Sequence, residues 1–451
     1  MFKSIVNILK IAELKRKILI TLSLLIVYRA GCFIPTAGIN TYNLTKFFDE
    51  LSKTAGEGIL GMVNLFTGGA LTRLSIFALG IMPYISASII MQLLTAVVPA
   101  LERIAKEGKA GYEKINQYTR YLTFALCVVQ GLFLSLWLSN SGNFKGYVIV
   151  ANPGPMFSLI TILTLTAGTV FIMWLGEQIQ ERGIGNGISI IITASIMSRI
   201  PSSVRQLFIL WSPFDPSKQQ IHTVKVLMLF ALWFLMIIAV VLFSQAQRRI
   251  PIQYGRRVVG RKVYGGQSTY LPIKVDMSGV IAIIFASSVM TFPATIAMLL
   301  PKATGVLSFL QGMIQQRGLW YNLFFVCLIM FFMYFYTAMV FNPLEISNNL
   351  KKHGGFIPGI RPGRPTANYL DFVATRIIFI GALYISLIAI FPNCVMYLFR
   401  VPSYGLASLF GGTTLLIMVG VIIDTMKQIE GQLVIRHYDG FIKGSSLKGR
   451  K

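Results

Sequence analysis

Apolar residues fall along this chain in ten long runs separated by polar segments. A helix needs ~20 apolar residues to cross a bilayer. The runs predict transmembrane helices at 18–36, 75–98, 121–138, 158–176, 184–200, 225–244, 277–300, 319–342, 372–391 and 403–423. The fifth is the weakest pattern, being short and opening with GIGNG. The expected fold is therefore an all-α polytopic membrane protein with both termini on one side. Ten spans also divide as five plus five. Halves with an odd number of spans insert in opposite orientations, which permits an inverted repeat with a site between the halves. The two halves show no evident direct similarity in sequence.

A shorter apolar segment, ILGMVNLFTGGALT (59–72), is too short to cross and is interrupted by Gly61, Gly68 and Gly69. It reads either as a re-entrant half-helix lodged in protein or as an interfacial segment. Irregular backbone at membrane depth requires protein or a water-filled cavity around it.

Composition agrees with the pattern. Hydrophobic residues make up 55% of the 451 and charged residues only 13%, with a mean hydropathy of +0.67. Soluble domains carry about a quarter charged residues. The net charge of +25 first reads as a topological signal. With the N-terminus placed in the cytoplasm, 28 of the 41 Lys and Arg fall on the cytoplasmic side and 10 outside, while Arg29, Lys225 and Arg376 lie within or at the edge of spans. The opening MFKSIVNILKIAELKRK resembles an interfacial amphipathic helix and reads as an uncleaved cytoplasmic N-terminus.

The resulting organisation is a cytoplasmic N-terminus (1–17), an N-terminal half (18–200), an external linker (201–224), a C-terminal half (225–423) and a cytoplasmic tail (424–451). Loops 245–275 and 343–371 face the cytoplasm. The first contains Arg248, Arg249, Arg256, Arg257, Arg261, Lys262 and Lys274 and no acid, with Tyr, Val and Gly that suggest a folded shape. It is suited to dock something acidic.

Familiar chemistry is missing. There is no GxxxxGK[ST], GxSxG or HExxH. Cys32, Cys127, Cys327 and Cys394 lie far apart in apolar surroundings, and His222, His353 and His437 lie in separate segments, so neither a metal site nor a disulfide framework is expected. Span centres are almost free of the acids that ion-coupled transporters use. A solute carrier stays open as a rival reading, and a membrane-bound enzyme has no visible site. Ile81 and Ile85 fall on one helical face, as do Ile188 and Ile192. Such residues are either ordinary packing or a constriction that blocks ions by dewetting.

The segments FALGIMPYISASIIMQLL (77–94), QYTRY (117–121), WLGEQIQERGIGNGISIII (174–192), VYGGQSTYLPIKV (263–275), FYTAMVFNP (335–343) and FIPGIRPGRPT (356–366) closely resemble the SecY family, the channel subunits of bacterial and plastid protein translocases. The likeness runs in order from the first span to the tenth, through loops as well as apolar runs.

The resemblance implies two pseudo-symmetric inverted five-helix halves around a narrow waist, and a protein-conducting channel with no enzymatic activity and no cofactor. Pore-ring positions fall on Ile81, Ile85, Ile188, Ile192, Ile284 and Ile417. A plug half-helix falls near 59–73, with Leu60, Val63, Phe66, Gly68 and Gly69. Polar positions of a lateral gate, opening to membrane lipid, fall on Gln92, Gln130 and Asp276, whose alternative role is ordinary interhelical hydrogen bonding. Asp276 stands where relatives commonly have Asn, and Ala282 where they often have Pro, a loss expected to straighten the seventh span.

The same resemblance makes the basic loops a docking platform. Its residues are Arg248, Arg249, Arg256, Arg257, Arg261 and Lys262, with Lys351, Lys352, Arg361 and Arg364 from the second loop. Arg361 matches the position most closely tied to motor-driven translocation, at the tip of a stiff Gly/Pro turn. Implied partners are the SecE and SecG subunits, the SecA motor ATPase, the ribosome through its RNA, and preproteins with their signal sequences. The implied location is the bacterial cytoplasmic membrane, with the plastid thylakoid as the alternative.

Overall fold

The computed structural model describes residues 12–54, 64, 66–144, 146–211, 222–254, 257–259, 262–264, 268–299, 318–399 and 411–444. A helix lies at each of the ten predicted runs, although most have different ends. In chain order, the N-terminal part has α1 (Ala12–Gly31), α2 (Thr41–Thr54), α3 (Met82–Val97), α4 (Pro99–Lys106), α5 (Lys109–Ser139), α6 (Pro155–Arg182), α7 (Gly187–Met197) and α8 (Ile200–Trp211). The C-terminal part has α9 (Thr223–Gln245), strands β1 (Gln247–Tyr254), β2 (Arg257–Val259), β3 (Lys262–Tyr264) and β4 (Ser268–Lys274), then α10 (Ile281–Leu299), α11 (Leu319–Val340), α12 (Pro343–Lys352), β5 (Gly355–Phe356), α13 (Arg364–Phe399) and α14 (Gly412–Gly444).

By length and hydropathy, seven of the described helical stretches are able to cross a membrane, with α7 and α8 counted as one and α11 and α12 as another. An eighth is the pair α3 and α4, bent by 98° at Val98, where Pro99 stops the first helix and starts the second.

The departures from the predicted ends have local causes. The second run was expected to be helical from 75, but Ser75 pairs with Pro35 in a β-bridge, residues 76–81 form turns, and regular helix begins at Met82, with Pro83 in its first turn. Helices α5, α6, α13 and α14 run beyond the apolar runs, because a backbone ladder continues in water where hydropathy has already fallen. The linker expected at 201–224 is helical over its first half, where α8 buries Leu207 against Leu229, Val395 and Phe399.

The GIGNG motif makes a tight α6–α7 hairpin. Asn186 caps α7 by accepting from the backbone N–H of Ile188 (3.1 Å) and Ser189 (3.3 Å). A Cβ on Gly187 would lie 1.9 Å from the carbonyl oxygen of Gly176, so only glycine fits this approach.

Helices α1, α3, α5, α6 and α7 pack among themselves, and so do α10, α11, α13 and α14, with α9 against α14. The two groups meet along two seams. One joins α7 to α14, and the other joins α3 and α5 to α10. The largest apolar cluster draws residues from both groups and fills the space between the seams.

Candidate functional site

The six isoleucines singled out by sequence come together in that central cluster. Ile81, Ile85, Ile192, Ile284 and Ile417 are buried within it, and Ile188 packs against it half-exposed. They come from the start of α3, from α7, from α10 and from α14, so both seams contribute. Ile81 and Ile85 share a face through the bond from the Ile85 N–H to the Ile81 carbonyl (3.1 Å). Nearby hydroxyls are turned back on their own helices. Ser287 and Ser288 both donate to the Ile284 carbonyl (2.9 and 2.8 Å), and Ser195 donates to that of Ile191 (2.9 Å). Back-bonding of this kind satisfies the serines without offering a donor to anything passing between the helices.

The segment after 63 enters the same cluster. Phe66 and Ala70 are buried in it. Gly68 and Gly69 take φ of +64° and +87°, and the Gly69 N–H donates to the Asn64 carbonyl (3.1 Å), which closes a tight turn. For residues 64 and 66–72, the described part of that segment, this fits the reading of it as lodged in protein. Leu60 and Val63 lie outside the described residues.

Two of the three polar positions, Gln92 and Asp276, bond locally. Gln92 donates to Ser88 one turn back in α3 (3.2 Å), and Gln130 is half-buried on α5. For Asp276 the sequence left a gate position and ordinary interhelical bonding side by side. Its carboxylate shapes the turn before α10, accepting from the Gly279 N–H (2.7 Å) and the Ser278 hydroxyl (3.3 Å). Burial pushes its carboxyl up to about 6; those two bonds and Lys274 oppose the rise, and Asp424 adds to it. Ala282 lies buried in the first turn of α10. Proline is tolerated in a first turn, so its absence there does not straighten the helix, contrary to expectation.

The basic loop is a sheet. Strand β1 pairs antiparallel with β4 from Gln247↔Lys274 to Gln253↔Ser268, and its far end pairs with β5 at Gln253↔Phe356 and Tyr254↔Gly355. The two basic loops are thereby joined in one three-stranded platform, β4-β1-β5. Its underside, Ile250 and Ile273, packs on Ile357 and on Leu370, Val373 and Ile377 at the start of α13. Arg248, Arg249, Lys351, Lys352, Arg361 and Arg364 are exposed. Arg361 stands on a clamped turn: its carbonyl accepts from Thr366 (2.9 Å), and that of Gly363 accepts from Ser347 (2.6 Å). Arg257 and Lys262 fall in the β2–β3 hairpin, at the pairs Arg257↔Tyr264 and Val259↔Lys262. Arg256 and Arg261 lie outside the described residues.

Sequence reasoning missed two contacts. Arg120 of the QYTRY motif grips Glu177 of the GEQ motif through two bonds, 3.0 Å from Nε and 2.8 Å from Nη2, tying α5 to α6. Arg29, set aside as a charge at a span edge, donates from Nη1 to the Gly68 carbonyl (2.8 Å). The signal for the first lay in two recognisable motifs of opposite charge. The signal for the second was the arginine's place in an apolar run.

Residues 75–426 match the family model for SecY. The protein translocase subunit SecY of Escherichia coli (strain K12) is 46% identical over 442 residues, covering 97% of this chain and 96% of the relative. Among solved structures, one described as a protein-conducting channel superposes with a TM-score of 0.64 at 15% identity, covering 96% of this chain and 95% of that one. Sec61 in the canine ribosome–channel complex from the endoplasmic reticulum gives 0.60 at 14% identity, covering 96% and 95%. The fold is thus that of these channels, and by the family model and the close bacterial relative this chain belongs to the SecY family.

Proposed function

We propose that this chain is the channel-forming subunit of a protein translocase, an integral membrane protein that conducts unfolded secretory polypeptides and releases apolar segments sideways into lipid. It is a passive pore, and a bound partner supplies the energy. The observation that carries this reading is the convergence of six isoleucines, from four helices and both seams, into one buried apolar cluster. Branched apolar side chains can close around an extended chain without offering it hydrogen bonds. When no chain is present, they exclude water and ions by dewetting.

The remaining assignments follow from this reading. Ile81, Ile85, Ile188, Ile192, Ile284 and Ile417 form the ring, and the segment through Phe66, Gly68 and Gly69 is the plug. The ten helices at the predicted runs form two inverted five-span halves, 18–200 and 225–423. The α3–α10 seam is the lateral gate, with Gln92, Gln130 and Asp276 at its margins. The exposed cations of the platform receive the ribosome or the SecA motor, and SecE and SecG complete the complex. A ribosome–channel complex among the structural neighbours supports the first of these partners. The membrane is the bacterial cytoplasmic membrane, with both termini on the cytoplasmic side.

Reconstitution tests the proposal. Vesicles holding this chain, SecE and SecG are expected to take up an unfolded preprotein when SecA and ATP are added. Uptake of a small solute with no effect on preprotein would replace the channel with a carrier.

A further inference from the structure

An arginine in an apolar run is expensive and marks a functional candidate. Arg29 lies in the last turn of α1, inside the predicted first span, and inside-positive topology does not explain it. Its neighbours and partner form a connected arrangement. Nη1 of Arg29 donates to the Gly68 carbonyl at 2.8 Å. Ser198, just past α7, approaches the same oxygen at 3.5 Å. Tyr28, adjacent to Arg29, shares a buried 2.6 Å bond with Ser195 of α7. Helix α1 is therefore fastened to α7 by one residue and to the Gly68 turn by the next.

The turn is pressed against α7. A Cβ on Gly68 would lie 3.1 Å from the Ser195 Cα and 3.2 Å from the Ser198 hydroxyl oxygen. Beyond the turn, the segment has a separate, firmer root. The Leu74 carbonyl accepts from both the Thr36 N–H (2.9 Å) and its hydroxyl (2.8 Å), and Ile76 N–H donates to the Ile34 carbonyl (2.9 Å). Leu74 holds φ +41°, a strained value for leucine that persists only where its surroundings enforce it. Among the described residues, the root is tied to residues 34–36 by three bonds, while the Gly68 carbonyl in the turn meets other elements through Arg29 and Ser198, of which Arg29 is the charged donor.

We infer that Arg29 is a positioning residue for the seal: its guanidinium holds the Gly68 carbonyl and so keeps the Phe66–Ala70 turn seated in the central apolar cluster while the channel rests. This inference rests on reading that segment as the plug. Movement of the turn away from the cluster would hinge at Gly68 and Gly69, whose backbones already occupy the left-handed region, and would break the Arg29 bond first. A charge-assisted hydrogen bond shifts an equilibrium by roughly ten- to a hundredfold. Such a latch is strong enough to hold the turn at rest and weak enough to yield when a polypeptide enters.

The test uses the assembled channel in vesicles, with Arg29→Met, Arg29→Lys and the parent compared. Two readouts are taken: resting ion leak, and hydrogen exchange at the amides of Gly69 and Ala70 against those of the root, Thr36 and Ile76. Arg29→Met is expected to raise leak by roughly tenfold or more and to speed exchange in the turn but not in the root. Arg29→Lys, which keeps a charged donor, is expected to recover part of both. Unchanged leak and unchanged turn exchange in Arg29→Met would overturn the inference. So would equal acceleration in turn and root, which would mean that α1 had loosened as a whole. If Arg29→Met fails to assemble, Arg29→Gln is read by the same criteria. Preprotein uptake by the parent channel is measured alongside. Its absence would count against the proposed function, whereas normal uptake with an unaffected turn would count against the latch alone.

Discussion

The central cluster and the basic platform differ in almost every physical property. The cluster is built of isoleucines and other apolar side chains from both halves, and its serines bond to their own backbones. The platform is a small sheet with exposed arginines and lysines, resting on α13 through a few buried isoleucines and valines. A surface meant to grip a particular partner profits from charge, which is directional and raises encounter rates. A surface meant to let many sequences slide past profits from its absence, because any fixed donor would hold some chains and reject others. On the proposed function, the molecule separates holding from passing. That separation is the substance of the claim that the pore is passive.

Breaking the apolar side is expected to give the largest effect. Replacing Ile85, Ile192, Ile284 and Ile417 together with Ser wets the waist, and resting ion conductance of reconstituted vesicles is expected to rise by an order of magnitude or more. Unchanged conductance would move the constriction elsewhere.

Breaking the charged side comes next. Arg361→Glu reverses a charge on a clamped, exposed turn. SecA-driven preprotein uptake is expected to fall about tenfold, roughly the 1.4 kcal/mol scale of one lost charged contact. The amount and thermal midpoint of the assembled channel are expected to stay as in the parent. Equal loss of assembly and uptake would make the residue structural.

Asp276 lies between the two regions, after β4 and before α10, and sharpens the comparison by pH. Burial raises its carboxyl to about 6. The folded state then binds this proton more tightly than the unfolded chain does, so the carboxyl is best tolerated below about pH 4. That advantage is lost as pH rises through 6. Asp276→Asn is expected to match the parent's stability at low pH and exceed it near pH 7.5 by on the order of 1–3 kcal/mol, read as a higher thermal midpoint only at the higher pH. A constant difference across that range would remove Asp276 as the titrating group.

The smallest effect is expected from the Arg120–Glu177 pair. Its geometry is bidentate, but both side chains are partly solvated. A double-mutant cycle with Arg120→Met and Glu177→Gln is expected to give a coupling of about 1 kcal/mol or less, reduced by salt. A much larger coupling would mean that the pair holds the α5–α6 rim together.

The positions of the helices were legible because the bilayer demands long apolar runs. Their ends were not, since α5, α6, α13 and α14 continue in water, where hydropathy carries no signal. The isoleucine pairs at 81/85 and 188/192 were legible as faces, but their meeting with Ile284 and Ile417 became visible only through family resemblance, because periodicity says nothing about which faces converge. The basic loop read as folded, yet the joining of β1 to β5 depends on pairing between residues about a hundred positions apart. The local bonds of Asp276 were not legible either, because a short side chain before a helix is readily satisfied by its own turn and that turn leaves no periodic signal. Arg29 was visible as an anomaly, and its partner, a backbone carbonyl, leaves no trace in side-chain identity.

The central claim is that a passing polypeptide is enclosed by the isoleucine cluster. A preprotein stalled in the reconstituted channel, carrying a photo-crosslinker in its mid-chain, tests this most directly. Crosslinks are expected on α3, α7, α10 and α14 around Ile85, Ile192, Ile284 and Ile417, with none on the platform from that position. Crosslinks confined to the β1–β4 platform, or to helices outside the cluster, would contradict it.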